Sequence, residues 1–244
     1  MGIRVIRSFM IAGALVSCAM AQPPALVRVV RQGAIQPYVA GQARVNVIAM
    51  SAIAGPAEHW LLELHDSFTS IEAADQALNS VPAPPPLEFD TFVAGARSLI
   101  AIYRPGLSYR PDEGMRMFPK MRYLDVTLLR IKPGNEPDLA KLLRLRSVGL
   151  DSINMDRPEI VYRVLSGAPE GTYLVLAPMP SLRMLDDGRP LAPDYAEAAE
   201  ATAKKIALDI DLLREHFWFR VDPRLSWISD EFAAPDHEFW RGSK

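Results

Sequence analysis

Arg104–Arg110 reads RPGLSYR and Asp222–Ile228 reads DPRLSWI. Pro105, Leu107, Ser108 and Tyr109 recur as Pro223, Leu225, Ser226 and Trp227, each 118 residues further on. A gapless match at close to half the length of a 244-residue chain marks an internal repeat, which bears on architecture before activity. Neither serine sits in a G-x-S-x-G elbow, and neither has a neighbouring base to make it a nucleophile. The simpler reading is structural. Each half ends a strand at the proline, packs the leucine, closes a turn with the serine hydroxyl and lays the aromatic ring on the other half.

Working outward, the second half is the clearer one. Tyr123–Lys132 (YLDVTLLRIK) alternates as a strand, Pro133-Gly134 turns the chain, and Glu136–Val148 has a helical leucine face at Leu139, Leu142, Leu143 and Leu145. Glu159–Gly167 and Thr172–Met179 read as an antiparallel hairpin. The spacing of Ala198, Ala201, Ile206, Ile210 and Leu213 predicts a helix over Asp194–Phe217, and Phe217–Val221 is the closing strand. That order, βαββαβ, is the ferredoxin-like pattern. In the first half, strands are expected at Leu26–Gln32, Arg44–Ser51, His59–Asp66 and Ser98–Tyr103, with a helix from Ser70 to Asn79. GAIQPYVAGQA stands where the first helix would be, so that helix is expected to be abbreviated.

A four-stranded ferredoxin-like sheet buries one face under helices and leaves the other bare. Two such sheets in one chain can pack bare face to bare face. The expected fold class is therefore α+β, with tandem ferredoxin-like (βαββαβ) repeats packed sheet to sheet as an intrachain dimeric α/β barrel. Residues 26–110 and 122–232 form the repeats, 111–121 the linker and 233–244 a tail. Intrachain pairing implies a monomer. Phe232, Phe239 and Trp240 should fold the tail back as a latch, because large apolar rings are costly to leave in water.

YLDVTLLRIKPGNEPDLAKLL resembles the first strand, Pro-Gly turn and helix of dimeric α/β-barrel proteins of the antibiotic-biosynthesis-monooxygenase and NIPSNAP-like type. With MRYLDVTLLRIKPG, GTYLVLAPMPSL and VDPRLSWIS, the chain is also similar to exported tandem-barrel proteins of soil bacteria. The resemblance spans most of residues 26–232. It implies the barrel fold and a superfamily that includes cofactor-independent monooxygenases, haem-degrading enzymes, dehydratases and proteins without known activity. It supplies no residue pattern that maps onto a catalytic set.

Composition narrows the classes. A net charge of −2 with no cluster of Lys and Arg among aromatics excludes nucleic acid as an expected partner. Arg4 and Arg7 followed by the short apolar run Ser8–Ser17 read as a secretory signal covering residues 1–21. Two processing routes remain open. Ala19-Met20-Ala21 is a small-x-small cleavage site before Gln22, and Leu15-Val16-Ser17-Cys18 resembles a lipobox that would anchor the protein through a lipid on Cys18. Either route implies an exported, periplasmic or extracellular protein without a spanning helix. Cys18 is the only cysteine, so cleavage at Ala21 leaves no thiol chemistry.

Candidate chemistry follows from period-two alternation. In HWLLELHD the apolar set Trp60, Leu62 and Leu64 is expected under the helices, which turns His59, Leu61, Glu63 and His65 toward the partner sheet. His59 or His65 would then accept a proton with Glu63 orienting it. Arg28, Asp125, Thr127, Glu159, Arg163 and Tyr173 are expected to line the same interior as ligand contacts. The expected role is binding a small, partly apolar molecule in the barrel. Alternatives are a monooxygenase-like or isomerase-like enzyme built on the His/Glu pair, and a non-catalytic interaction or stress-related protein in which these residues form a salt-bridge network. No Gly-rich phosphate loop, dinucleotide fingerprint or HExxH spacing is present, so no cofactor or metal is expected.

Overall fold

The computed structural model describes residues 22–32, 45–54, 58–79, 97–153, 155, 157–186 and 193–242. The signal segment with Cys18, the GAIQPYVAGQA stretch (33–43) and the Pro-rich run 81–89 fall outside the described residues.

The strands are β1 (Leu26–Gln32), β2 (Asn46–Ala52), β3 (His59–His65), β4 (Arg97–Tyr103), β5 (Tyr123–Arg130), β6 (Ile160–Ser166), β7 (Thr172–Met179) and β8 (Leu213–Val221). The helices are α1 (Phe68–Asn79), α2 (Pro111–Met117), α3 (Glu136–Ser152), α4 (Arg183–Asp186), α5 (Pro193–Asp209), α6 (Asp230–Ala233) and α7 (His237–Arg241). All eight strands close into one antiparallel barrel in the order β1-β3-β2-β8-β5-β7-β6-β4. Each half contributes its strands in the same spatial order, fourth, first, third, second. The halves join where β2 meets β8 and where β6 meets β4. The expected fold class is the observed one.

Local chemistry explains the elements. Gly134 takes a left-handed turn (φ 95°) after β5, and Glu136 and Asp138 in the first turn of α3 complement its dipole. Gly167 (φ 87°) ends β6 where a Cβ would lie 1.9 Å from the Ser98 carbonyl oxygen, so only glycine lets β6 close on β4. The expected helix Asp194–Phe217 is corrected at its end. It stops at Asp209, Asp211 adopts a left-handed conformation (φ 53°), and Leu213–Val221 is strand, paired along β5 from Arg130↔Leu213 to Tyr123↔Arg220. Tertiary pairing overrides the local helical spacing because β5 otherwise has an unpaired edge.

One apolar cluster fills the barrel. It draws Val27 and Val29 from β1, Ile48 and Met50 from β2, Trp60, Leu62 and Leu64 from β3, and Leu99 and Ala101 from β4. From the other half come Leu124, Val126, Leu128, Ile160, Tyr162, Val164, Leu174, Leu176, Phe219 and Val221. Linker and tail join the same core: Met115, Phe118 and Met121 pack with Phe232, Ala233 and Trp240, and Trp240 Nε1 donates to Pro119 O at 2.6 Å. The expected linker is thus α2 with a 3-10 turn (Phe118–Lys120), and together with the latched tail it seals the end of the barrel where β5 begins.

The repeated stretches have a common structural task. After β4 and β8 the chain turns at Pro105–Leu107 and Pro223–Leu225, then pairs again with the second strand of the other half. Arg104 N donates to Val161 O (2.8 Å) and Asp222 N to Ala49 O (2.9 Å). Val161 N donates to Ser108 Oγ and Ala49 N to Ser226 Oγ, both at 2.9 Å. The hydroxyls donate back to Arg104 O and Asp222 O. Tyr109 and Trp227 complete antiparallel bridges to Glu159 and Val47. Leu107 packs on the outer cluster under α3, and Leu225 on the outer cluster formed by Val47, Ala49 and Leu61. The phrase recurs because each half clasps the other. Ser226→Ala strands the buried Ala49 N–H and should cost about 1–3 kcal/mol in urea unfolding. Ser108→Ala should cost a similar amount, and since the two serines share no partner the double change should roughly sum.

Candidate functional site

Placement of the candidate residues reverses the face expected for them. Trp60, Leu62 and Leu64 point into the barrel, where Trp60 meets Phe217 and Phe219 at 5.1 and 4.7 Å between ring centroids. Glu63, His65 and Arg28 lie on the outer face, between β1, β3 and α1. Asp125, Thr127, Glu159, Arg163 and Tyr173 alternate with interior residues and lie on the outer face of the second sheet. Period-two alternation separated the two sets correctly. The apolar set went inside because eight strands closing on one axis leave no water there, while the polar set found partners at the helix–sheet boundary.

The first-half residues form a closed network. Glu63 Oε2 accepts from Arg28 Nε at 2.7 Å and lies 3.0 Å from His65 Nε2. His65 Nδ1 lies 2.9 Å from Ser70 Oγ at the start of α1, and Arg28 also reaches Asp75 on that helix. Burial works against the Arg28 charge, yet the bonds and charges of Glu63 and then Asp75 outweigh it and hold its pKa above the ordinary arginine value. With Glu63 and His65 almost wholly buried, the arrangement pins α1 to the sheet. His59 stands apart from them, 2.9 Å from Ser51 Oγ through Nδ1. Tyr173 and Arg163 are register partners on β7 and β6, and burial raises the Tyr173 pKa.

The second half is different. A cleft of about 690 Å³ lies between α3, α5 and the outer face of the sheet. Leu129, Leu142, Leu143, Leu150, Ala203 and Ala207 make most of it apolar, and Thr127, Glu159, Arg146 and Arg214 make one end polar. Beside that end Asp125, nearly fully buried, gathers three partners: Arg157, His216 Nε2 at 2.7 Å and Trp218 Nε1 at 3.3 Å. An ionised carboxylate only accepts, so His216 faces it with Nε2 as donor, and in the neutral ring that tautomer leaves the lone pair on Nδ1. Arg146 forms an ion pair with Glu159 at 2.5 Å. Even so, Arg146 Nε and Arg157 Nε are buried without a hydrogen-bond partner among the described residues, while Glu159 Oε1 faces the Arg146 guanidinium. Burial, followed by the Arg146 charge, pulls the Arg214 pKa below its ordinary value. Three guanidiniums thus face two carboxylates, an arrangement that favours an anionic or hydrogen-bond-accepting group.

Asp125, Thr127 and Glu159 were legible as candidates from strand alternation. His216, Trp218, Arg146, Arg157 and Arg214 were not. Arg214, His216 and Trp218 do alternate, a strand signal that the helical spacing upstream obscured.

No family model matches the chain. No curated protein sequence matches it either. Among solved structures it is similar to an anthrone oxidase-like protein, with 11% identity and a TM-score of 0.51 over 83% of this chain and 93% of that one. Another match is a structure assigned as a monooxygenase from Fusobacterium nucleatum subsp. nucleatum, at 8% identity and TM-score 0.48 over 83% and 94% of the two chains. A heme-binding protein from Thermus thermophilus matches at 9% identity and TM-score 0.42 over 89% and 98%. At these identities the likeness is one of fold. The first match and the eight-strand ring define this chain's class by fold, an α+β barrel of two ferredoxin-like halves closed within one chain.

Proposed function

We propose that the protein binds a small, largely apolar molecule with one anionic or hydrogen-bond-accepting group, held in the cleft between α3, α5 and the second sheet rather than on the barrel axis. The observation that supports it is a 690 Å³ apolar cleft ending at a buried guanidinium nitrogen, Arg146 Nε, that lacks a hydrogen-bond partner among the described residues. Leucine side chains would cover the apolar body, and Arg214 and Arg146 would meet the acidic group. Native mass spectrometry of protein from its own host should show a non-covalent adduct that disappears in Ala203→Trp, whose indole fills the cleft, while the melting temperature is kept. An adduct that survives Ala203→Trp in folded protein excludes this cleft.

The His216–Asp125 pair supports a second reading as an enzyme. His216 Nδ1 would take a proton from the bound molecule, and Asp125 would orient the ring and stabilise the imidazolium. The acid–base role first expected of His59, Glu63 and His65 passes in this reading to Asp125 and His216, because Glu63 and His65 are enclosed beneath α1. His216→Gln should keep the adduct and abolish turnover of the identified ligand.

We also propose export, supported by the n-region arginines, the short apolar run and the Ala19-Met20-Ala21 site, and a monomeric state, supported by the ring closing within one chain. Intact mass should correspond to a mature chain beginning at Gln22. A diacylated species beginning at Cys18 would establish the lipoprotein route instead.

A further inference from the structure

We propose a second ligand site at the mouth of the barrel, taking the phosphate or carboxylate group of a small organic anion. On β1, β4 and β5 the inward-facing positions are apolar until the last layer, where the pattern changes. Val27 and Val29 are followed by Arg31 on β1, Leu99 and Ala101 are preceded by Arg97 on β4, and Leu124, Val126 and Leu128 are followed by Arg130 on β5. These arginines line a cavity of about 320 Å³, and its floor includes Leu99, Leu128 and Ala168. This end lies opposite the one that α2 and the tail seal.

Charge and register both point to an anion. Arg31 and Arg97 are direct cross-strand partners, an arrangement in which like charges repel. Arg31 is compensated: it pairs with Glu58 at 3.0 Å and Glu215 at 3.7 Å, and its guanidinium caps the interior over Trp60 at 4.8 Å. Arg97 and Arg130 have no ion-pair partner within 4 Å among the described residues, and both are exposed. Arg97 feels Glu58 only at longer range. Three guanidiniums, Arg31, Arg97 and Arg130, against two carboxylates leave a positive surplus in a chain whose net charge is −2. Arginine forks suit planar carboxylate and phosphate oxygens, and the Leu99–Leu128–Ala168 floor suits a compact apolar body attached to such a group.

Calorimetric titration of the full mature chain with phenyl phosphate at low salt should show saturable one-to-one binding. Arg97→Gln/Arg130→Gln should weaken it by at least about tenfold, and phenol, the uncharged body, should bind more weakly by a similar factor. Ala203→Trp fills the separate cleft and should leave this affinity within about twofold, so failure here is distinguishable from failure of the cleft reading. If the double Gln variant loses its native melting transition, Arg97→Lys/Arg130→Lys serves in its place, with a smaller but measurable loss because a lysine cannot form the two-pronged contact. Absence of saturable binding to the native chain, equal affinity in the folded double variant, or loss of binding on Ala203→Trp each overturns the proposal.

Discussion

Trp60→Ala should destabilise the protein by about 3–5 kcal/mol, the cost of removing a large side chain from a packed core. For a chain of this size that corresponds to a fall in melting temperature on the order of 6–20 °C. Trp60 is 1% exposed, touches Phe217 and Phe219 across the barrel, and carries the Arg31 guanidinium over its ring. Its indole N–H also donates to Glu58 Oε2 at 2.9 Å. No neighbouring helix can shift to fill the space, because the residues around it belong to the strands of a closed ring. His59→Ala, one residue earlier, removes a half-buried side chain bonded to Ser51 and should cost under about 1 kcal/mol. Urea unfolding of the pair tests which face of β3 is inside. Equal costs, or a larger cost at His59, would contradict this packing.

Asp125→Ala should cost a similar 3–5 kcal/mol, about the penalty for removing one partner of a buried ion pair. Its carboxylate holds Arg157, His216 and Trp218 at once, and Arg157 is itself largely buried. Without it the Arg157 guanidinium, whose Nε has no partner among the described residues, loses its counter-charge. Asp125→Asn keeps shape and an acceptor oxygen but not the charge, so it should fall between wild type and Ala. In the ligand assays, Asp125→Asn should reduce turnover more than binding if His216 moves a proton, and should change both equally if the cleft only binds. A melt of the Ala and Asn variants beside wild type separates charge from packing, and an Ala variant as stable as wild type would show that the network carries no stability.

Much of the fold was readable in the chain. The recurrence of Pro-x-Leu-Ser-aromatic, the Pro133-Gly134 turn and the alternation in β5 to β7 led to two βαββαβ halves, and the ring has that order. The clasp itself was not readable, because its partners, Val161 for Ser108 and Ala49 for Ser226, are 53 and 177 residues distant. The candidate site was legible only in part. Asp125 and His216 stand 91 residues apart, and nothing local to either announces the other.

By itself the sequence determined which residues alternate together, where strands turn, and that one half repeats the other, since turn chemistry and period-two spacing are properties of neighbouring residues. Only the tertiary structure decided which face of each strand is the inside. A sheet covered on both faces is apolar on both, so the pattern along one strand cannot tell a barrel axis from a helix-covered surface. Closure of eight strands settled that choice. It enclosed Trp60 and its equivalents, and it left Glu63, Asp125 and Glu159 beneath the helices, where their partners come from distant parts of the chain.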